Sequence, residues 1–111
     1  MAELRQTTEQ FERRRGTRAR VAIDVEERTA EALYFQRASS LSRTGIWLEG
    51  TLAHPPGTRV ELDLALPGGS VRVVGVVVGR DPEDVGMAVR FVDVSDATQA
   101  RIDAVVAARA S

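Results

Sequence analysis

Two short polar segments of the sequence carry side chains that could bind a ligand. The first is the arginine-rich run Arg13–Arg20, which contains Arg14, Arg15 and Arg18. A guanidinium group binds phosphate bidentately, pairs with the O6 and N7 edge of guanine and stacks on aromatic rings. A ligand with both phosphates and guanines would use all these modes. Gly16 would let the backbone bend so that Arg14 and Arg18 converge on such a ligand.

The second polar segment is Ser39–Gly45, in which three serines precede the glycine. Serine hydroxyls both donate and accept hydrogen bonds, and Gly45 would permit a backbone geometry closed to other residues. We expect this segment to be a loop between the second and third strands. Both polar segments also have a simpler interpretation, because arginine runs are usually solvated and serines before a strand usually belong to turns.

Most catalytic chemistries lack the side chains that they require. All fifteen basic residues are arginine and cysteine is absent, which excludes Schiff-base lysines, the lysine of a phosphate-binding loop and cysteine nucleophiles. The lone histidine, His54, precedes Pro55-Pro56-Gly57, and this pattern predicts an exposed turn with a solvated imidazole. Residues 81–84 are interpreted as an acidic turn without further ligands at metal-loop spacing. We therefore expect no enzyme activity, no metal and no cofactor.

The charge is unevenly distributed along the chain. Residues 1–20 carry six arginines against three glutamates and so have a charge of +3, while the whole chain has a net charge of −1. A positive segment beside an acidic body predicts a local anion site rather than the broad basic face of a DNA- or RNA-binding protein. No apolar run is long enough for membrane insertion, and the polar start of the sequence and the absence of cysteine favour a cytoplasmic location.

Apolar residues alternate with polar ones in several short runs, which is typical of half-buried β-strands. In a run at about residues 30–37, Leu33 and Phe35 flank Tyr34. The alternation of a later run slips in phase at residues 73–75, which predicts a β-bulge or a sharply curved strand. The six predicted strands are Val21–Glu26, residues 30–37, Thr44–Glu49, Val60–Leu66, Val71–Val78 and Met87–Phe91.

The hydrophobic period changes after the sixth run. Ser95 is a good helix N-cap, and Asp96 in the first turn favours the helix dipole. A stripe that includes Ile102 and Val106 then recurs at helical spacing, so residues 96–109 should form a helix that packs on the sheet. Six short strands with glycine and proline turns predict an all-β fold, a six-stranded barrel with a C-terminal α-helix. We expect residues 1–12 to be a flexible N-terminal segment and residues 13–111 to be a single domain.

The polar segments and the strands near them occur in a recognisable order. The pattern consists of Arg14 and Arg18, then Ser40, Ser42 and Gly45, and finally the strand of residues 85–93 before the helix. This order resembles the PilZ domain, whose motifs are RxxxR followed by [D/N]xSxxG. The resemblance runs from about residue 13 to residue 106. It implies a six-stranded antiparallel barrel that binds the bacterial second messenger cyclic di-GMP.

The resemblance also implies roles for individual residues. Arg14 and Arg18 match the arginines that grip the phosphates and the guanine faces, while Ser42 and Gly45 match the second motif. Ser40 stands where the family has aspartate or asparagine, and its single hydroxyl is a weaker acceptor for the guanine N1–H and N2–H₂ groups. The predicted cyclic di-GMP-binding residues are Arg14, Arg15, Arg18, Ser40, Ser42 and Gly45.

Three functions are compatible with these observations. The first is a stand-alone cyclic di-GMP receptor whose N-terminal segment is ordered on binding, so that it regulates an unidentified protein partner, for example in motility. The second is a degenerate PilZ-like adaptor that binds no nucleotide and acts through protein contacts. The third, a nucleic-acid-binding barrel, is disfavoured by the net negative charge and by the few aromatic residues.

Overall fold

Six antiparallel strands close into a barrel in the computed structural model, which describes residues 18–50, 54–80 and 86–109. The strands are β1 (Arg18–Arg28), β2 (Leu33–Ser42), β3 (Gly45–Glu49), β4 (Arg59–Leu66), β5 (Gly69–Arg80) and β6 (Gly86–Asp93), and the helix is α1 (Asp96–Arg109). Around the barrel the order is β1-β2-β3-β6-β5-β4. The barrel and the helix confirm the fold that the sequence predicts. Arg14 and Arg15 lie outside the described residues.

Strict alternation in β4 produces the most regular part of the barrel interior. Val60, Leu62, Leu64 and Leu66 all point inward and are buried, while the residues between them face outward or are half-buried. A two-residue turn connects β4 to β5, and Gly68 adopts a positive φ of 90° there. Only glycine takes that conformation without strain, which accounts for the turn signal in the sequence.

The helix α1 begins and ends at the predicted residues and closes one end of the barrel. The Ser95 hydroxyl accepts a hydrogen bond from the Thr98 N–H at 3.1 Å, which is the predicted N-cap. Ile102 and Val106 are buried against the barrel core. Arg101 donates hydrogen bonds to two carbonyl oxygens of the β4–β5 turn, each at 2.8 Å. The apolar stripe and these polar contacts hold the helix over the barrel end.

The structure corrects the prediction for β2 in two ways. The strand extends through Ser42, so Ser39–Ser42 belong to a strand and only Arg43 and Thr44 form the turn to β3. Leu33 and Phe35 face outward with 45% and 77% of their surface exposed. The half-buried and buried positions are instead those that alternate with them, from Tyr34 to Ala38. The alternating pattern identified the strand, but not which of its faces is inside.

Irregular register explains why the strand phases were hard to predict. The pairing of β1 with β2 shifts between Arg20 and Ile23, and the pairing of β2 with β3 shifts between Ala38 and Ser40. A β-bulge reverses the inward and outward faces beyond it. In β5 the β-bulge predicted near residues 73–75 is confirmed, because the pairing of β5 with β6 shifts between Val74 and Gly75, and again between Val77 and Gly79. Buried positions nevertheless alternate regularly along β5 from residue 71 to residue 77.

A buried contact between a glutamate and a histidine lies inside the end of the barrel opposite α1. Glu27 is an inward residue of β1 and is fully buried, and its Oε2 atom lies 2.7 Å from Nε2 of His54. The two atoms are in ion-pair contact but are not aligned as a hydrogen bond. Gln36 donates a hydrogen bond to the other carboxylate oxygen at 2.8 Å. The prediction of a solvated His54 is therefore wrong, because its imidazole packs against a buried carboxylate and near the Tyr34 ring.

Candidate functional site

The two polar motifs of the sequence meet on the outer surface of the barrel, near α1. The register of β1 with β2 places Arg18 opposite Ser42, and Arg20 opposite Ser40. The Arg18 Nε–H donates a hydrogen bond of 2.8 Å to the Ser40 hydroxyl. Residues from the first and second predicted motifs, separated by more than twenty positions in the chain, are thus in direct contact.

Ser42 is part of the site but its hydroxyl is turned into the protein. The side chain is fully buried. Its Oγ–H donates to the Gly45 carbonyl oxygen at 3.3 Å, and the oxygen accepts from the Thr44 N–H at 3.4 Å. The hydroxyl therefore fixes the two-residue turn between β2 and β3. In this conformation its contribution to the site is to position the turn rather than to face a ligand.

Gly45 is required by a close approach of strands and not by an unusual backbone angle. Its φ is not among the positive glycine φ values of the described residues. A Cβ atom at this position would lie 2.8 Å from the Val89 carbonyl oxygen of β6, closer than real side chains come. The prediction that Gly45 provides a backbone conformation closed to other residues is therefore wrong. The glycine instead allows β3 and β6 to pack closely beside the site.

The site extends over four strands in two rows of residues that alternate with the core positions, and of these Ser42 and Gly45 are themselves buried. In the first row Gly45 pairs with Arg90 of β6, and in the second row Ser40 pairs with Trp47, which pairs with Ala88. We call this surface the arginine face. It consists of Arg18, Ser42, Gly45 and Arg90 in the first row, and of Arg20, Ser40, Trp47 and Ala88 in the second.

Arg20, Trp47 and Arg90 are members of this face that the sequence motifs do not include. Alternation within a strand could have identified them, because Arg20 is two residues from Arg18, and Arg90 lies between the inward residues Val89 and Phe91. Trp47 is half-buried on the outer surface, with its indole close to Gly86, where a Cβ atom would lie 2.9 Å from the ring.

The electrostatics of the arginine face differ from those of the remaining surface. Arg28, Arg37, Arg43 and Arg72 each contact a carboxylate at between 2.8 and 3.4 Å. Arg20 and Arg90 form no ion pair within the described part of the chain, and neither row of the face contains a carboxylate. Guanidinium groups that are not neutralised by carboxylates attract anions. The arrangement can therefore bind a ligand with more than one negative charge.

The turn of this site is also connected to α1. Arg43 contacts Asp103 at 3.1 Å, and Gln99 donates hydrogen bonds to the Arg43 carbonyl oxygen at 3.0 Å and to Asp103 at 2.8 Å. These contacts link the β2–β3 turn to the helix. A change in the turn on ligand binding would therefore reach the helix directly.

Other kinds of site have little support in the described residues. Within residues 18–50, 54–80 and 86–109, no group of three or more histidine, cysteine, aspartate or glutamate side chains could hold a metal ion. Of the helices in that part of the chain, none has the length and apolar character needed to cross a membrane.

Comparisons with known proteins point to a single family. The family model of the PilZ domain matches residues 12–108, which is most of the chain. By sequence, no curated protein gives a significant match. The fold resembles the structure of the Bacillus subtilis inhibitor of motility MotI/DgrA, with a TM-score of 0.71, 18% identity and coverage of 83% of this chain and 48% of MotI. This chain thus spans about half the length of MotI.

Two further solved structures have the same fold and nearly the same extent. The PilZ domain of YcgR from Escherichia coli, solved with cyclic di-GMP, has a TM-score of 0.69 and 17% identity, and the match covers 88% of this chain and 92% of that domain. The PilZ domain of CeSA from a cellulose-synthesising bacterium has a TM-score of 0.64 and 14% identity, with coverage of 82% and 95%. At these identities the structural similarity concerns the fold.

Proposed function

Because this chain belongs to the PilZ domain family, we propose that it is a receptor for cyclic di-GMP which regulates a protein partner. The observation that carries the proposal is the arginine face, where Arg18 contacts Ser40 and where Arg20 and Arg90 have no carboxylate partner in the described part of the chain. Cyclic di-GMP has two phosphates and two guanines, so it can use phosphate pairing, base-edge pairing and stacking by guanidinium groups.

In this proposal the described residues bind the ligand from one side. Arg18 and Arg20 approach from β1 and Arg90 from β6, with the turn held by Ser42 and Gly45 between them. Arg14 and Arg15 would approach from the arginine-rich run that precedes β1, and we propose that residues 1–12, before that run, are flexible before binding. Ligand binding would order the arginine-rich segment against the barrel and change the surface that a partner contacts.

Ser40 is the residue on which affinity depends. Its hydroxyl accepts a hydrogen bond from Arg18 and carries no charge. An aspartate at this position would accept from guanine N–H donors through charge-assisted hydrogen bonds, which are about twice as strong as neutral ones. We therefore expect moderate affinity for cyclic di-GMP, lower than that of a PilZ domain with the acidic motif.

The second candidate function is the degenerate adaptor that acts through protein contacts alone. The same contact favours it, because the Arg18 Nε–H donates to the Ser40 hydroxyl and this donor is then not available to a phosphate. The similarity to MotI, an inhibitor of motility, supports regulation of motility as a role of this protein under either function.

Calorimetric titration of the full chain with cyclic di-GMP tests the receptor function. Wild type should bind, and Ser40→Asp should bind about ten-fold more tightly, which corresponds to the gain from a charge-assisted hydrogen bond. Ser40→Asn tests the same position without adding charge. Ser70→Asp is the matched control, because it adds an identical charge at an exposed position on β5. The emission of Trp47, the single tryptophan, gives a second readout from within the arginine face.

The outcomes separate the two functions. If wild type is silent while Ser40→Asp or Ser40→Asn binds, the chain is an adaptor derived from a receptor. If wild type binds and neither substitution strengthens binding relative to the Ser70→Asp control, Ser40 does not contact the base. If none of the proteins binds at ligand concentrations near a millimolar, the receptor function is wrong.

A further inference from the structure

A second outer surface of the barrel carries the most exposed large apolar side chain of the described residues. Phe35 on β2 has 77% of its surface exposed, and Leu33, two residues earlier on the same face, has 45% exposed. Both lie at the end of β2 that is far from Ser40. A phenylalanine so exposed gains no burial in the isolated protein, and exposed aromatic residues recur as anchors of protein interfaces.

Carboxylates extend from Phe35 across the neighbouring strands. Phe35 pairs with Glu26 of β1, Glu26 pairs with Asp63 of β4, and Asp63 pairs with Arg72 of β5. A shallow groove beside the Phe35 ring is lined by Glu26 and Asp63 of this row but not by Arg72, and Asp24 is the third charged side chain that lines it. We call this surface the Phe35 face. The groove thus combines an aromatic ring with acidic walls.

The carboxylates of the Phe35 face contact guanidinium groups of the protein itself. Asp63 contacts Arg28 and Arg72, each at 2.8 Å, so its charge is already neutralised by arginine. The remaining two carboxylates are paired more weakly, Glu26 at 3.4 Å and Asp24 at 3.3 Å from the nearest guanidinium nitrogen. Asp24 and its partner Arg37 are also largely exposed, with 79% and 63% of their side chains accessible. Exposed pairs of this kind contribute little and exchange readily for another cation.

From this arrangement we propose that the Phe35 face docks a segment of a partner protein that presents an arginine or lysine next to an apolar residue. The cation would lie against the Phe35 ring and the Glu26 carboxylate, and the apolar residue would cover Leu33. A cation over an aromatic face gains additional attraction from the ring quadrupole, and a neighbouring carboxylate adds to it. This surface is separate from the arginine face, so the proposal does not depend on cyclic di-GMP binding.

Selection from a random dodecapeptide library on the purified full chain tests this proposal. Soluble Phe35→Ala protein is present as competitor, so that only peptides which need the ring are retained. The retained peptides should place an arginine or lysine beside an apolar residue. Synthetic copies should bind the Phe35→Ala variant about ten-fold or more weakly than wild type, as expected for an aromatic anchor.

Two matched variants make the result specific. Val92→Ala removes part of another exposed apolar side chain, on β6, where 42% of the residue is accessible, and should leave peptide affinity unchanged. Glu26→Gln keeps the shape of the side chain and removes its charge, so it should weaken binding about three-fold or more and reduce the salt dependence of the affinity.

Other outcomes overturn the proposal. If no peptide is retained, or if the retained peptides lack basic residues, the face does not bind a basic segment. If Glu26→Gln binds as tightly as wild type, the carboxylate does not contribute. If sedimentation shows that wild type self-associates and that Phe35→Ala is monomeric, the occupant is a second copy of this chain.

Discussion

The same two strands, β1 and β2, form both the arginine face and the Phe35 face, and the register shift between Arg20 and Ile23 separates them. On the side near α1, Arg18 and Arg20 lie opposite serine hydroxyls. On the other side, Asp24 lies opposite Arg37 and contacts it in an exposed ion pair of 3.3 Å. One strand pair therefore presents Arg20, which contacts no carboxylate in the described part of the chain, at one end, and contacts between arginines and carboxylates at the other.

This difference supports the arginine face as the proposed anion site. Arginine content alone does not identify the site, because most described arginines outside the arginine face contact carboxylates or carbonyl oxygens. What distinguishes the arginine face is the absence of carboxylates from both of its rows. A carboxylate there would compete with ligand phosphates for the same guanidinium donors.

We expect the largest loss of stability when the contact between the His54 imidazole and the buried Glu27 side chain is removed. This contact lies inside the end of the barrel opposite α1. His54→Ala leaves the buried Glu27 Oε2 atom without its neighbour, and an unpartnered buried acidic group is costly, so the substitution should lower the free energy of unfolding by about 3 kcal/mol. Urea denaturation monitored by Trp47 emission measures this change. Cyclic di-GMP affinity of the folded variant should equal that of wild type, because His54 is at the opposite end of the barrel from α1.

A double substitution provides the control for this prediction. Replacement of both partners, Glu27→Leu with His54→Leu, removes the charge together with its partner and should restore most of the lost stability. If His54→Ala unfolds at the same urea concentration as wild type, the contact with Glu27 does not stabilise the barrel.

The second effect concerns ligand binding by the arginine face. Arg18→Ala and Arg20→Ala should each weaken cyclic di-GMP binding about ten-fold or more, because each removes a charged hydrogen-bond donor. Arg59→Ala is the matched control, since Arg59 is also exposed but lies on β4, outside the face. Calorimetry measures the affinities, and thermal melts with ligand give an independent comparison.

Equal affinities for Arg20→Ala and Arg59→Ala would limit the site to the first row of the face. Equal affinities for all three variants would place the ligand elsewhere. Without ligand, Arg20→Ala should change the free energy of unfolding by less than about 0.5 kcal/mol, because an exposed arginine contributes little to stability.

Much of the fold was predictable because its elements follow local rules. The inward residues of β4 alternate without a break, and α1 has both an N-cap and an apolar stripe. The inward and outward positions at the ends of β1 and β2 opposite α1 could not be predicted in this way. Glu27 is inside and Phe35 is outside, which reverses the usual relation between polarity and burial. The pairing of β1 with β2 brings Gln36 close to Glu27, whereas His54 reaches Glu27 only in the folded barrel, and no local pattern indicates that second contact.

The candidate site was predictable in part for a similar reason. The motifs identified Arg18 and Ser40, which the structure brings into contact. They could not identify Arg90, since its place in the first row depends on the pairing of β3 with β6, two strands that are distant in sequence. They also assigned Ser42 to ligand contact, whereas its burial and its hydrogen bonds show that it holds the turn. Strand register, which the sequence does not specify, decides both points.

The third prediction concerns the contribution to stability of Asp63, the best-paired carboxylate of the Phe35 face. Hydrogen bonds from Arg72 and then Arg28, with their positive charges, hold the pKa of Asp63 below its ordinary value of 3.8. A lowered pKa stabilises the folded state above the ordinary pKa, and this stabilisation is lost as the pH falls through the folded value. Asp63→Asn should therefore lower the free energy of unfolding at pH 7 by about 1 kcal/mol.

The pH dependence distinguishes this electrostatic effect from a change in packing. The difference between wild type and Asp63→Asn should be constant from pH 7 to about pH 5 and should decrease below the ordinary pKa of the carboxyl group. Urea denaturation at several pH values measures it, with Asp24→Asn as the exposed control. A difference that stays the same at low pH would mean that the asparagine disturbs packing instead.

The smallest change in stability is expected when the ion pair of Arg37 with Asp24 is removed. Both side chains are largely exposed and their contact is 3.3 Å long, so water screens the attraction and ordering the side chains costs entropy. Arg37→Ala should change the free energy of unfolding by less than about 0.5 kcal/mol at any salt concentration. The substitution should instead change the charge of the Phe35 face. Asp24 then lacks its neighbouring cation, so the face becomes more acidic. A basic dodecapeptide retained on that face should consequently bind Arg37→Ala more tightly than wild type at low salt, and equally at high salt. A loss of peptide affinity in Arg37→Ala would instead mean that Arg37 itself contacts the partner, and the charge assigned to the Phe35 face would then be wrong.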